Sequence, residues 1–172
     1  MWWSRFIFLP AFFLLVACGF QPLYGTSDTG GGRDALAHTQ IKPIADRSGQ
    51  QLRNHLLDLM TPRGQSPTPL YTLAVSLSES TNHIAVRKTA LATRANFNLT
   101  ASFILTDTAT GRVLYGDKTQ VLSGYNILIS DFATLQSVKD ARARALREAA
   151  EQIRVRLGVF FDQHYNSGSA AP

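Results

Sequence analysis

The chain has 172 residues, 45% of them hydrophobic, with 17 Lys and Arg against 12 Asp and Glu and a formal net charge of +5. This length suits one domain built around one core. A single cysteine excludes an internal disulfide, and the four histidines, His38, His55, His83 and His164, lie too far apart for a ligand-spaced metal motif.

The first stretch is a leader. Met1 to Arg5 is short and positively charged, and Phe6 to Ala17 is apolar apart from Pro10. The apolar run is shorter than the roughly 20 residues a membrane-crossing helix needs, so residues 1–17 read as a secretory signal peptide. Leu15-Val16-Ala17-Cys18 resembles the lipobox of bacterial lipoproteins. In that pathway the chain is cut before Cys18, and its thiol and new N-terminus carry acyl chains, palmitate among them. A lone thiol in an exported protein calls for such an explanation. Each buried methylene contributes roughly 0.8 kcal/mol, and several chains on one residue hold a protein stably on a bilayer. Gly19 stands where an aspartate retains many lipoproteins at the inner membrane, which favours the inner leaflet of the outer membrane.

Loss of residues 1–17 removes only Arg5 from the charge count, leaving a mature net charge of +4. In an exported chain the anionic partners for such a charge are phosphorylated lipids, lipopolysaccharide or acidic proteins, and not nucleic acid. Solubility alone accounts equally for any single surface Lys or Arg.

Gly19-Phe-Gln-Pro-Leu-Tyr-Gly25 is too apolar for a free tether and is expected to pack on the domain or a partner. Residues 26–35, with Gly30-Gly31-Gly32, read as a flexible loop. His38 to Ile44 predicts a first strand, confined to an edge or an end by Pro43. Ser48 to Gln51 fits a capping box before a helix bearing Leu52, Leu56, Leu59 and Met60 on one face. Thr61-Pro-Arg-Gly64 stops that helix.

Tyr71, Leu73, Val75 and Leu77 alternate with Thr72, Ala74, Ser76 and Ser78, which predicts a half-buried strand continuing through a bulge toward Lys88. Ala95, Phe97, Leu99, Ala101, Phe103 and Leu105 then point one way, while Asn96, Asn98, Thr100, Ser102 and Thr106 point the other, with Ile104 the exception. Asp107 to Gly111 is a hairpin turn, and Arg112 to Leu122 the return strand, with Gly116 marking a bulge. A long helix is predicted from Asp131 to Gln163, its core face formed by Val138, Ala141, Ala145, Ala149, Ile153, Leu157 and Phe160. Asp140–Arg144, Arg144–Glu148 and Arg147–Glu151 are i,i+4 pairs on its solvated side.

This order predicts an α+β two-layer sandwich, two helices packed on one face of a mostly antiparallel four-stranded sheet. The domain layout is a signal peptide over 1–17, a lipidated N-terminus and linker over 18–37, one α+β domain over 38–165 and a disordered tail over 166–172. The polar sheet face is either wet or laid against a polar surface such as the water-filled interior of a large barrel. No catalytic motif appears. Gly-x-Ser-x-Gly and His-Glu-x-x-His are missing, so binding or assembly is the better expectation than an enzyme, with no metal and no cofactor beyond the covalent lipid on Cys18.

Cys18-Gly-Phe-Gln-Pro-Leu-Tyr-Gly25 and the Pro43-Ile-Ala-Asp-Arg-Ser-Gly-Gln50 entry into a Leu-rich helix, followed by the long hairpin and terminal helix, resemble the LPS-assembly lipoproteins (LptE), especially alphaproteobacterial ones. The resemblance implies a plug inside the lumen of the outer-membrane LPS translocon barrel. Such a plug supports barrel assembly, binds lipopolysaccharide (LPS) and helps deliver it to the outer leaflet. Its partners would be that β-barrel and LPS. Candidate LPS contacts are Arg87, Lys88 and Arg94 near the junction of the two long strands, with Arg112 and Lys118 as weaker ones. Charge-assisted hydrogen bonds to phosphates would carry the contact, although each cation is equally an ordinary solvated charge beside a strand. The alternative is a lipoprotein subunit of an ABC-type intermembrane lipid-transport system.

Overall fold

Three strands of fifteen residues set the length of the molecule. A computed structural model describes residues 32–85 and 93–169. In chain order these form α1 (Gly32–Ala37), β1 (Thr39–Ile41), α2 (Asp46–Met60), β2 (Tyr71–Ala85), β3 (Thr93–Asp107), β4 (Val113–Ile127) and α3 (Asp131–Ser169). The sheet runs β1-β2-β3-β4. β1 is parallel to β2, and the other pairs are antiparallel. The expected α+β sandwich, with helices on one face of a mostly antiparallel sheet, is therefore the observed fold.

The period of two in β3 decides which face is buried. Ala95, Phe97, Leu99, Ala101, Phe103 and Leu105 are each at most 1% exposed. They lie under α3, whose Ala141, Ala145, Leu146, Ala149, Ala150, Ile153, Leu157 and Phe161 are fully buried. Leu52, Leu56 and Met60 of α2 join the same core, while Leu59 is half-buried against it. The buried stripe of α3 is wider than predicted, since Leu146, Ala150 and Phe161 join it and Phe160 is only half-buried. A helix that meets both a sheet and a second helix needs that extra width.

Several expectations are corrected. Residues 32–35 are not loop: α1 buries Ala35 and Leu36, and the Thr39 hydroxyl donates to Ala35 O at 2.8 Å. The first strand is only Thr39–Ile41, though it does sit at the sheet edge. Ser48 and Gln51 form no capping box, because α2 starts earlier, after an extended Ala45 that makes no side-chain cap. Asp46 takes φ 65 there, a conformation Asp tolerates better than most residues. The β3–β4 irregularity falls where Leu105 and Thr106 face Tyr115 and Val113, so Leu114 is the extra residue and Gly116 pairs in register with Ile104. α3 continues to Ser169, which puts residues 166–169 in the helix and not in a tail. The hairpin turn is as predicted, with Gly111 at φ 69.

The expected i,i+4 pairs of α3 are absent among the ion pairs of the described residues, and three of its arginines, Arg142, Arg144 and Arg156, reach the sheet instead. Arg142 Nε donates to Glu79 at 3.0 Å and lies over the Phe97 ring at 5.3 Å. Arg156 pairs with Asp117.

Candidate functional site

The β3 register separates the candidate cations. Cys18, Arg87 and Lys88 lie outside the described residues. Arg94 faces Asn126 at one end of the sheet. Lys118 is opposite Ser102, and Arg112 lies in the hairpin at the far end. At about 3.4 Å per residue, Lys118 is roughly 27 Å from Arg94 and Arg112 about 40 Å away. The structure therefore does not gather Arg94, Arg112 and Lys118 into one patch.

Arg94 is joined by a residue that the sequence reading placed elsewhere. A groove of about 480 Å³ is lined by Arg94, Asn96, Asn126, Ser137, Asp140 and Arg144 at the junction of β3, β4 and α3. Strand alternation brings Arg94 and Asn96 to the open sheet face, and helical spacing brings Ser137, Asp140 and Arg144 to one side of α3. Arg144 reaches over the edge of β4 and donates from Nη2 to Gly124 O at 3.1 Å. A Cβ on Gly124 would lie 3.5 Å from the Asn96 side-chain oxygen, an ordinary contact distance, so this wall of the groove is close-set without being strained. No sequence spacing announces Arg144. Its role depends on where α3 crosses β4.

The β4–α3 connection beside the groove is tied back by Thr134 and carries apolar side chains. Thr134 Oγ1 accepts from Leu128 N at 2.9 Å and lies 3.2 Å from both Leu128 O and Ser130 O. This network presents Leu128, Ile129, Phe132 and Leu135 to solvent, with Ile129 79% and Phe132 71% exposed. Two guanidiniums, one carboxylate and neutral amides beside apolar side chains suit an anionic oxygen group on an amphiphile. Among the described residues, no three His, Cys, Asp or Glu side chains converge to hold a metal.

The displaced ionisations lie at the other end. The Lys118 backbone amide and then Arg156 hold the Asp117 carboxyl below its usual value. Burial first, and then the Asp117 hydrogen bond, raises Tyr115. Burial and the hydrogen bond to Tyr165 push Tyr71 up to about 12. These groups tie strands to α3, with Tyr115 stacked on Phe160 at 4.9 Å and Tyr71 tilted against Phe161 at 4.9 Å.

The family model described as "LptE: Lipopolysaccharide-assembly" matches residues 36–157. A sequence comparison with curated proteins finds no match. Among solved structures, a chain described as a lipoprotein from Caulobacter crescentus superposes with a TM-score of 0.61 at 23% identity, covering 76% of this chain and 95% of that one. Rare lipoprotein B from Shewanella oneidensis gives 0.55 at 11% identity, covering 70% and 93%. A neuraminyllactose-binding hemagglutinin homolog from Helicobacter pylori gives 0.52 at 10% identity, covering 77% and 84%. At these identities the likeness is one of fold.

Proposed function

The chain belongs to the LptE family of lipopolysaccharide-assembly proteins, and from that premise we propose that it is the lipid-anchored plug of an outer-membrane LPS translocon. In this reading Cys18 carries the anchor, residues 1–17 are removed, and the domain faces the periplasm and the lumen of a large β-barrel. Its work is assembly and binding and not catalysis. The open sheet face is dominated by short uncharged side chains, among them Ser76, Ser78, Ser80, Asn96, Asn98, Thr100 and Ser102, which suits a water-filled lumen.

The observation that carries LPS contact is the convergence of Arg94 and Arg144 on one groove. It lies at the end of the sheet where β2 passes to β3, the connection that contains Arg87 and Lys88. Guanidiniums there would bind lipid A or core phosphates bidentately, with Leu128 and its neighbours beside the acyl region. Arg112 and Lys118 drop to general electrostatic attraction.

Two measurements test the reading. Tagged full-length protein extracted from outer membranes in detergent should co-purify with a stoichiometric large β-barrel. Recovery alone, or with inner-membrane transport proteins, removes the translocon reading. Replacing both Arg94 and Arg144 by Ser should weaken LPS binding by the purified protein about tenfold or more, as loss of two charge-assisted bonds implies, with its melting temperature followed in parallel. Unchanged affinity in a folded variant eliminates the groove.

A further inference from the structure

The two long edges of this sheet are not treated alike. Gly124 O faces outward from β4, because Arg144 reaches it from outside the sheet. By alternation the outward backbone groups of β4 belong to Gly116, Lys118, Gln120, Leu122, Gly124 and Asn126. That edge is guarded. The Lys118 amide donates to the Asp117 carboxylate at 2.7 Å, the carboxylate is held by Arg156, Arg144 takes the Gly124 carbonyl, and the extra residue Leu114 disturbs one end. Charges and bulges of this kind discourage strand pairing.

The β2 edge has no such guard. β1 covers only Tyr71 to Leu73, and the last bond of that pairing runs from Lys42 N to Leu73 O at 2.9 Å. That bond fixes the odd-numbered residues as outward-facing, so Val75, Leu77, Glu79 and Thr81 continue the row. Among the described residues no strand pairs with them. The only charge on this stretch, Glu79, is taken up by Arg142, and the first irregularity of β2 comes at His83 to Ala85. An unpaired row of amides and carbonyls is a template for a further strand.

We propose that the β2 edge from Val75 to Thr81 receives an extended segment of the barrel partner, which adds a strand in the row that β1 begins. The proposal rests on the translocon reading and adds the mode of contact. The incoming segment alternates apolar side chains, over the half-buried Val75 and Leu77, with short polar ones beside the exposed Ser76, Ser78 and Ser80. Main-chain bonds supply the affinity, and the alternation supplies the register. A second copy of this chain is the other occupant that such an edge could take, and the measurement on the isolated protein below distinguishes it.

The test uses full-length protein purified in detergent, alone and as its complex from outer membranes, compared by amide hydrogen exchange. In the complex the amides of Val75, Leu77, Glu79 and Thr81 should exchange about tenfold or more slowly than in the isolated protein, while Gln120 and Leu122 stay unchanged. Thr81→Pro removes one outward amide without breaking a β2–β3 bond, and it should lower barrel recovery several-fold. Leu122→Pro, the matching change on β4, should not. Barrel recovery with unprotected β2 amides overturns the strand-addition proposal and leaves the translocon reading standing. Wild-type protein recovered without a barrel overturns both. Slow exchange already present in the isolated protein also overturns the proposal, by assigning the edge to this chain or to a second copy.

Discussion

Gly49 meets Ile44 so closely that a Cβ would stand 2.6 Å from the Ile44 side chain and 2.9 Å from its carbonyl carbon. Backbone cannot retreat as a side-chain tip can. Gly49→Ala should therefore destabilise the protein by about 1–3 kcal/mol despite alanine's better helix propensity, as read by denaturant unfolding. Asp117 gives a second test at this scale. Its folded carboxyl titrates below the unfolded one, so its contribution is present above the ordinary carboxylate range and is lost as pH falls through the lowered value. The Asp117 carboxyl resonance should titrate at a lower pH in the wild type than in Arg156→Gln. Equal midpoints would show that Arg156 adds nothing beyond the Lys118 amide.

Strand and helix existence was legible in the sequence because the burial periods are clean. β3 alternates over its whole buried face, and α3 repeats small residues at helical spacing. Ends were less legible. The start of α2 depends on Asp46 adopting φ 65, and α1 is a short helix in a glycine-bearing stretch, formed because Ala35 and Leu36 find the core. The groove was half legible. Arg94 stood out as a cation at a strand end, but Arg144 read as one member of a surface pair until the crossing of α3 over β4 was known. That crossing also carries a prediction. Ala145 is fully buried where α3 meets the sheet, so Ala145→Leu should cost about 1–3 kcal/mol through overpacking, and a neutral result would mean that the helix can lift.

At the scale of the whole molecule, the fifteen-residue strands span roughly 50 Å. α2, also fifteen residues, is a helix of only about 22 Å. It therefore covers less than half of that length, and only α3 runs the full sheet. The groove and the exposed Ile129 and Phe132 lie at one end, while the aromatic cluster of Tyr71, Tyr115 and Phe160 lies at the other. The open face between them carries short polar side chains. Under the translocon reading proposed above, a long domain with distinct ends and a polar open face would present different chemistry at each depth of the barrel.

The place of α3 in the chain sets a schedule. Synthesis proceeds from the N-terminus, so the meander of β2, β3 and β4 emerges before the helix that covers it. During that interval Phe97, Leu99, Phe103 and Leu105 lack α3, and until Ile153, Leu157 and Phe161 arrive only α2, less than half as long as the sheet, is there to cover that face. A nascent chain in that state exposes much of one apolar sheet face. Chains truncated before Ile153 should accumulate as insoluble material, whereas removal of residues 170–172 should leave the yield of soluble protein unchanged, as read by fractionation. The core is thus completed only by the last quarter of the chain, and the interval before its arrival is when the apolar sheet face is most open to wrong association.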